Sequence, residues 1–158
     1  MKALTLYEPW AFLVAVRAKK IETRSWKTDY RGPLAIHASK NIPSFAEIMC
    51  ETEEHFNDAL KDAGIYFTGD VPLKVLIPCG AVLCICNLVD CLKILRQDGS
   101  EAQLEDDRII YQPEYFFGDY ALGRYAWILN DVKKLEKPIP AKGQLGLWNW
   151  EPPEGMEL

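Results

Sequence analysis

The chain has 158 residues, a formal net charge of −5, 49% hydrophobic residues and 26% charged residues, which is typical of one globular domain. Its apolar runs are shorter than the about 18 residues that a membrane-spanning helix needs, so no contact with a membrane is expected. The N-terminal residues lack the apolar core and cleavage site of a secretory signal, which predicts a cytoplasmic protein.

The predicted elements are short strands around two helices. Alternating polarity predicts strands at residues 3–6, 21–26, 34–39, 80–95, 124–132 and 143–150. Apolar residues at helical spacing predict helices at residues 9–20 and 43–63. The remaining long segments, 65–79 and the acidic 96–108, are predicted loops. Five or six strands with two or more helices indicate the α+β class and a small barrel-like domain over residues 1–150, followed by a loose tail at 151–158.

The five cysteines give no sign of a disulfide framework or a metal centre. Their number is odd, and Cys84 and Cys86 share one face of a predicted strand, as buried small hydrophobic residues do. A zinc site would need a second close pair. No metal is therefore expected, and the absence of a Gly-rich phosphate loop in the sequence leads us to expect no cofactor.

Charge is distributed unevenly along the chain. Residues 1–40 hold eight Lys or Arg and three Asp or Glu, a net of +5, so the other 118 residues carry −10. A local basic patch attracts phosphate while an acidic remainder keeps the molecule soluble. Chance clustering on a solvated face is the alternative explanation.

The segment from Arg17 to Trp26 places charged and aromatic side chains together at a predicted helix–strand junction. Glu22 and Arg24 project to the same side of the strand, and such a pair orients a guanidinium. Lys19 is expected at the mouth of the same pocket, and Trp26 offers a ring on which a base can stack for about 1–3 kcal/mol. A surface salt-bridge cluster beside a core tryptophan is the alternative. Elsewhere, His37 is expected to be partly buried, and Trp127, Trp148 and Trp150 are expected to be packing residues.

The same segment resembles the G-x-K-x-x-E-x-R motif of the ASCH family, a relative of the PUA domain. Lys19, Glu22 and Arg24 match the motif, whereas Arg17 stands where the motif has Gly. Other segments that are similar to the family follow in order at residues 6–11, 30–38, 80–82, 117–120, 123–127 and 143–148. The resemblance implies a PUA-like mixed β-barrel with flanking helices, and a cleft, lined by the motif residues, that binds RNA, a nucleotide or a nucleoside.

Under a binding hypothesis, the cations contact phosphate and an indole stacks a base. The phosphate-binding candidates are Lys19, Arg24 and Arg31, with Arg124 at a strand start as a further candidate. Trp26 stacks the base, and Glu22 either supports Arg24 or accepts a hydrogen bond from a base amino group. Single-stranded RNA is favoured over duplex, because bases must be splayed out to stack.

Under an enzyme hypothesis, the candidate catalytic residues are Lys19, Glu22 and Glu114. A desolvated lysine beside other cations acts as base or nucleophile, and a carboxylate moves protons. The resemblance implies a hydrolase of N4-acetylcytidine or a ribonuclease. Family members that hydrolyse N4-acetylcytidine have a Thr where this chain has Glu22, and a more distal Glu for which Glu114 and Asp119 are candidates. A partner-binding scaffold is a third hypothesis.

Overall fold

The structure, a computed structural model, describes residues 1–156. Its strands are β1 (Lys2–Leu6), β2 (Ile21–Arg24), β3 (Gly32–Ala38), β4 (Ala81–Gln97), β5 (Ala102–Leu104), β6 (Ile109–Ile110), β7 (Tyr125–Pro140) and β8 (Leu147–Asn149). Its helices are α1 (Trp10–Ala15), α2 (Ser44–Thr52), α3 (Glu54–Asp62) and α4 (Leu73–Leu76), with a 3₁₀ turn at Glu114–Phe117.

One mixed sheet organises the molecule. Its strand order is β2-β7-β4-β3-β1-β8, and the β5–β6 hairpin is attached to β4. The pair β1–β3 is parallel and the other pairs are antiparallel. The mixed class with flanking helices is confirmed, but the described residues form eight strands rather than five or six. The two ends of the sheet do not pair with each other within residues 1–156, so barrel closure is not confirmed.

The long strands β4 and β7 form the spine of the sheet and curve through irregular pairing. Their ladder shifts register at three places, and such bulges bend a strand and increase its twist. The strand predicted at residues 124–132 is too short, because β7 continues as far as Pro140.

The main core lies between the sheet and the helices. Helix α1 buries five of its six residues, as expected of a helix that is apolar all round. Trp127 is fully buried in this core, while Trp148 and Trp150 pack in a smaller cluster on the other face of the sheet. These positions confirm that the three tryptophans are packing residues.

The helix predicted at residues 43–63 is wrong as a single element. Helices α2 and α3 meet at Glu53, whose backbone is extended and whose carboxylate accepts a hydrogen bond from the backbone N–H of Phe56 at 3.1 Å. A side-chain acceptor at this position satisfies a free N–H at the start of the second helix. The cap therefore interrupts an apolar stripe that the sequence pattern shows as continuous.

The helix predicted at residues 9–20 is also shorter than expected. It ends at Ala15, and Arg17 takes a left-handed conformation with φ 66°. That region of backbone space favours glycine, which explains the Gly that the motif carries at this position. The Arg17 guanidinium donates two hydrogen bonds to the carbonyl of Val132, at 3.2 and 2.8 Å.

Both segments that were predicted as loops contain secondary structure. The acidic segment 96–108 contains β5, where Ala102 and Leu104 are buried beside Ile94, and the segment 65–79 contains α4. At the C-terminus, Trp150 donates its backbone N–H to the carbonyl of Met1 at 2.8 Å. Residues 157–158 of the predicted tail lie outside the described residues. In the part of the chain that is described, no helix has both the length and the apolar character needed to cross a membrane.

Candidate functional site

A cleft of about 1380 Å³ opens beside the strands β1 and β2. It is bordered by the starts of α1 and α2, the 3₁₀ turn and the segment that follows β7. Its charged lining residues are Glu22, Arg24, Lys40, Asp119, Arg124 and Lys142. Four cations against two carboxylates give the lining a net of +2, although the whole chain carries −5. The positive charge that the sequence concentrates in residues 1–40 is thus represented at the cleft by Arg24 and Lys40.

Lys19 is fully buried and does not line the cleft, so the prediction that it lies at the mouth is wrong. After the left-handed turn at Arg17, the backbone N–H groups of Ala18 and Lys19 both donate to the carbonyl of Leu13, which folds the chain back onto α1. The Lys19 ammonium donates to the carbonyls of Ile21 and Phe117. Its Nζ also lies 3.4 Å from Glu22 Oε1. An ammonium has three N–H donors, and each of them has an acceptor here.

Glu22 and Arg24 do line the cleft, on the same side of β2 as the alternation predicts. The Arg24 Nε donates to Glu22 Oε2 at 3.1 Å, and its Nη2 donates to the carbonyl of Thr5 at 2.9 Å. The Glu22 carboxylate therefore lies between two cations, one buried below it and one exposed to the cleft. This chain of contacts fixes the direction of the guanidinium before any ligand arrives.

Glu114 does not line the cleft, but it connects the 3₁₀ turn to the motif. Its Oε1 accepts a hydrogen bond from the backbone N–H of Lys20 at 2.7 Å. Burial raises the pKa of the Glu114 carboxyl, and the nearby Lys19 ammonium opposes that rise. Among the described residues, Glu114 Oε2 and the buried hydroxyl of Tyr120 have no hydrogen-bond partner. Glu114 is thus close to Lys19, as a catalytic acid would need to be, but it is not a lining residue.

The two other predicted arginines lie in different places. Arg124 lines the cleft, where its Nε donates to the carbonyl of Asp119 at 3.0 Å and its Nη2 to that of Thr23 at 3.3 Å. Arg31 does not line the cleft: it donates to the carbonyls of its own turn and lies 3.5 Å from the Asp90 carboxylate. A phosphate contact by Arg31 would therefore lie outside this cleft.

Exposed and half-exposed aromatic rings contribute to the apolar part of the lining. Trp26 is half-buried and stands edge-to-face on Trp127, with ring centroids 4.7 Å apart. On the α1 side, Tyr7 is 53% exposed and Phe45 is 54% exposed. Trp10 packs against Phe45 at 6.2 Å. These last three rings were not predicted as site residues; Phe45, for example, fits the apolar stripe of a helix.

The segment after β7 supplies a second part of the site, which was not predicted from the sequence. Gly143 approaches two side chains so closely that a Cβ would lie 2.8 Å from the His37 ring and 2.9 Å from Thr5 Oγ1. His37 is buried, its Nε2 donates to the carbonyl of Ala141 at 2.7 Å, and burial lowers its pKa. The ring is therefore neutral near pH 7, with Nδ1 as an acceptor. In the sequence, the glycines of residues 143–148 indicate only that this segment is similar to the ASCH family, and not that it borders the cleft.

A smaller hollow of about 650 Å³ lies between Arg17, helix α3 and Phe117. Its rim includes Asp58 and Asp62 and differs in charge from the cleft. Within residues 1–156, no group of three His, Cys, Asp or Glu side chains is arranged to hold a metal ion. The cleft, rather than this hollow, combines several cations with exposed aromatic rings.

Fold and site together define a small mixed α/β domain with an open cationic, aromatic-lined cleft. The model of the ASCH domain matches residues 4–139, and the chain belongs to this family. The chain is also 26% identical over 147 residues to Activating signal cointegrator 1 of Homo sapiens and, equally, to that of Mus musculus. Each match covers 92% of this chain but 21% of the relative, so the chain spans about a fifth of the length of these proteins.

Proposed function

We propose that the cleft binds single-stranded RNA. The observation that supports this most is the placement of four cations beside exposed aromatic rings in a protein that is otherwise acidic. Cations of this kind contact phosphate, and aromatic rings stack bases with little dependence on sequence. Membership of the ASCH family supports the same proposal, because the resemblance implies RNA or nucleotide ligands.

In this proposal Arg24 contacts the ligand directly and Lys19 is a positioning residue. The guanidinium of Arg24 is already held by Glu22 and Thr5, so little conformational entropy is lost when it meets a phosphate. Lys19 acts through the Glu22 carboxylate, which it contacts from below. Trp26 and Arg124 complete the proposed binding set on the β2 side of the cleft.

The test is the equilibrium binding of a fluorescein-labelled eight-nucleotide RNA, followed by fluorescence anisotropy over a range of salt concentrations. With four cations in the cleft, the slope of log K against log salt is expected to be about −2 to −3, since each contact with a single strand contributes about −0.7. Arg24→Ala should weaken binding and make the slope shallower by about 0.7.

The matched control is Arg108→Ala, which removes an exposed arginine that pairs with Asp106 outside the cleft. It should leave both the affinity and the slope unchanged. Absence of binding by the wild-type protein, or equal losses in the two variants, would contradict the proposal. A duplex of the same sequence should bind more weakly, because its bases are not free to stack.

A hydrolase is the second candidate, and the position of Glu22 favours it. A carboxylate at the cleft wall can accept a proton from an attacking water, and Lys19 and Arg24 hold this one in a fixed orientation. In that role Glu22 would touch the substrate, Lys19 would hold the Glu22 carboxylate from the buried side, and Glu114 would hold the backbone of Lys20. Incubation with N4-acetylcytidine and with labelled RNA, followed by product analysis, tests this candidate. Turnover that Glu22→Gln abolishes would support it, and intact substrates would exclude both of these reactions.

A further inference from the structure

We infer that the cleft holds a stretch of at least two consecutive nucleotides and that a mononucleotide fills only half of it. This inference rests on the proposed function and specifies its ligand. The cleft, at about 1380 Å³, is larger than the roughly 300–1,000 Å³ of typical small-molecule sites. Size alone does not define the ligand, but the arrangement of cations and rings within the cleft does.

The first end of the cleft lies at the start of β7. Arg124 is fixed there by the carbonyls of Asp119 and Thr23. Trp26 follows β2 at the same end, since β2 pairs with β7 through Arg24 and Tyr125. This end therefore offers one cation for a phosphate and one ring for a base.

The second end lies where β1, β3 and β4 meet. Lys40 packs over Gly80, and the carbonyl of Gly80 accepts the backbone N–H of Ala141, which brings Lys142 to the same end. Both lysines are exposed.

The two rings assigned to the second end come from different elements: Tyr7 follows β1, and Phe45 stands at the start of α2. The backbone N–H of Ser39 donates to the carbonyl of Leu6 at 2.8 Å, so the chain neighbours Lys40 and Tyr7 lie side by side. Tyr7 and Phe45 are the exposed rings here. The second end thus repeats the chemistry of the first, with cations for a phosphate and a ring for a base.

The Arg24 side chain extends from the first end, where its backbone pairs with Tyr125, towards β1. Its Nη2 donates to the carbonyl of Thr5 and so bridges β2 to β1 across the floor of the cleft, 2.9 Å from donor to acceptor. A cation that extends from one end towards the other, with a stacking ring and a further cation at each end, matches the alternation of phosphates and bases along a single strand. A free mononucleotide has one base, which can stack on a ring at only one of the two ends.

The test compares competition by pU, pUpU, pUpUpU and a five-nucleotide oligo-U against the labelled RNA. We expect affinity to rise at least tenfold from pU to pUpUpU and then to level off. Lys142→Ala at one end and Arg124→Ala at the other should each weaken pUpUpU several-fold, whereas pU should respond to one of them and not to both. Arg124→Lys provides a second variant if loss of the carbonyl contacts destabilises the fold, and Arg108→Ala is the control.

The outcomes separate this inference from the function on which it rests. If pU competes as well as pUpUpU, or if pUpUpU responds to one end alone, the two-ended ligand is wrong while RNA binding stands. If no length competes and the labelled RNA does not bind, the proposed function itself is overturned.

Discussion

The Lys19 ammonium and the Glu22 carboxylate form a buried ion pair, with Nζ 3.4 Å from Oε1. The lysine side chain is 0% exposed and the glutamate side chain 11% exposed. Glu22 also accepts a hydrogen bond from Arg24, so contacts between the three motif side chains run from the core to the cleft. The lysine of the motif holds the glutamate from the buried side, and the arginine lies at the cleft.

Loss of the Lys19 charge should therefore destabilise the fold. Lys19→Met leaves the carbonyls of Ile21 and Phe117 and one oxygen of Glu22 without a donor, and breaking a buried pair in this way costs about 3–5 kcal/mol. Urea denaturation measures the difference. Lys20→Met removes the exposed neighbour and should stay within about 0.5 kcal/mol of wild type. Equal stability of the Lys19 and Lys20 variants would show that the buried pair has no structural role.

The sequence predicts the motif side of the cleft better than its other side. Strand alternation places Glu22 and Arg24 together, because a period of two depends only on local backbone geometry. The burial of Lys19 was not predictable in this way, since it depends on a left-handed turn at an arginine and on the distant carbonyl of Phe117. Lys142 was not predicted at the cleft for a similar reason. Its position depends on contacts of the neighbouring Ala141 with Gly80 and His37, which lie more than 50 residues away in sequence.

The fold shows the same division between local and long-range causes. Apolar patterning predicts the helical content of residues 43–63 but not the break at Glu53, where the backbone is extended and the side chain caps the second helix. Likewise, the polar composition of residues 96–108 indicates exposure, whereas the buried Ala102 and Leu104 become visible only when β5 pairs with β4.

Removal of the Trp26 ring should weaken RNA binding with little change in its salt dependence. Base stacking on an aromatic ring contributes about 1–3 kcal/mol, so Trp26→Ala should lower the affinity by roughly 5- to 150-fold. Tyr66→Ala is the control, because that ring is 70% exposed but lies outside the cleft. Anisotropy with the same RNA measures both variants. A loss as large for the tyrosine variant would indicate a different binding surface.

A side chain at position 143 should lower the free energy of unfolding of the protein. A Cβ at this position would collide with the buried His37 ring and with Thr5 Oγ1, and such overpacking typically costs about 1–3 kcal/mol. Gly143→Ala should also shift the His37 imidazole resonances in an NMR spectrum. Gly146→Ala has no neighbour within 4 Å, although its φ of 67° adds backbone strain, so it should leave those resonances in place. Unchanged His37 signals in Gly143→Ala would refute the close contact.

Glu8 should make the stability of the protein depend on pH. The Glu8 carboxyl accepts the backbone N–H of Phe12 at 2.7 Å, and burial raises its pKa to about 8 from an ordinary value of 4.5. A raised pKa in the folded state stabilises the protein fully below pH 4.5, and this contribution is lost as the pH rises through about 8. Wild type should therefore lose stability between these values, by up to about 1.4 kcal/mol per pH unit.

Glu8→Gln removes this titration while keeping an acceptor for Phe12. The difference in unfolding free energy between the variant and wild type should be small at pH 5 and should favour the variant progressively up to pH 8. Urea unfolding at several pH values gives that difference directly, because titrations common to both proteins cancel. A difference that does not change with pH would mean that Glu8 is ionised in the folded protein.

The most direct test of the proposed site is an NMR titration of the ¹⁵N-labelled protein with a five-nucleotide single-stranded RNA. If RNA binds in the cleft, we expect shift changes at the Trp26 indole, at the backbone of Thr5 and Arg24, and across residues 141–146. The amides of the β5–β6 hairpin should be unaffected. Changes confined to surfaces away from the cleft, or no changes at RNA concentrations in the millimolar range, would contradict the proposed site.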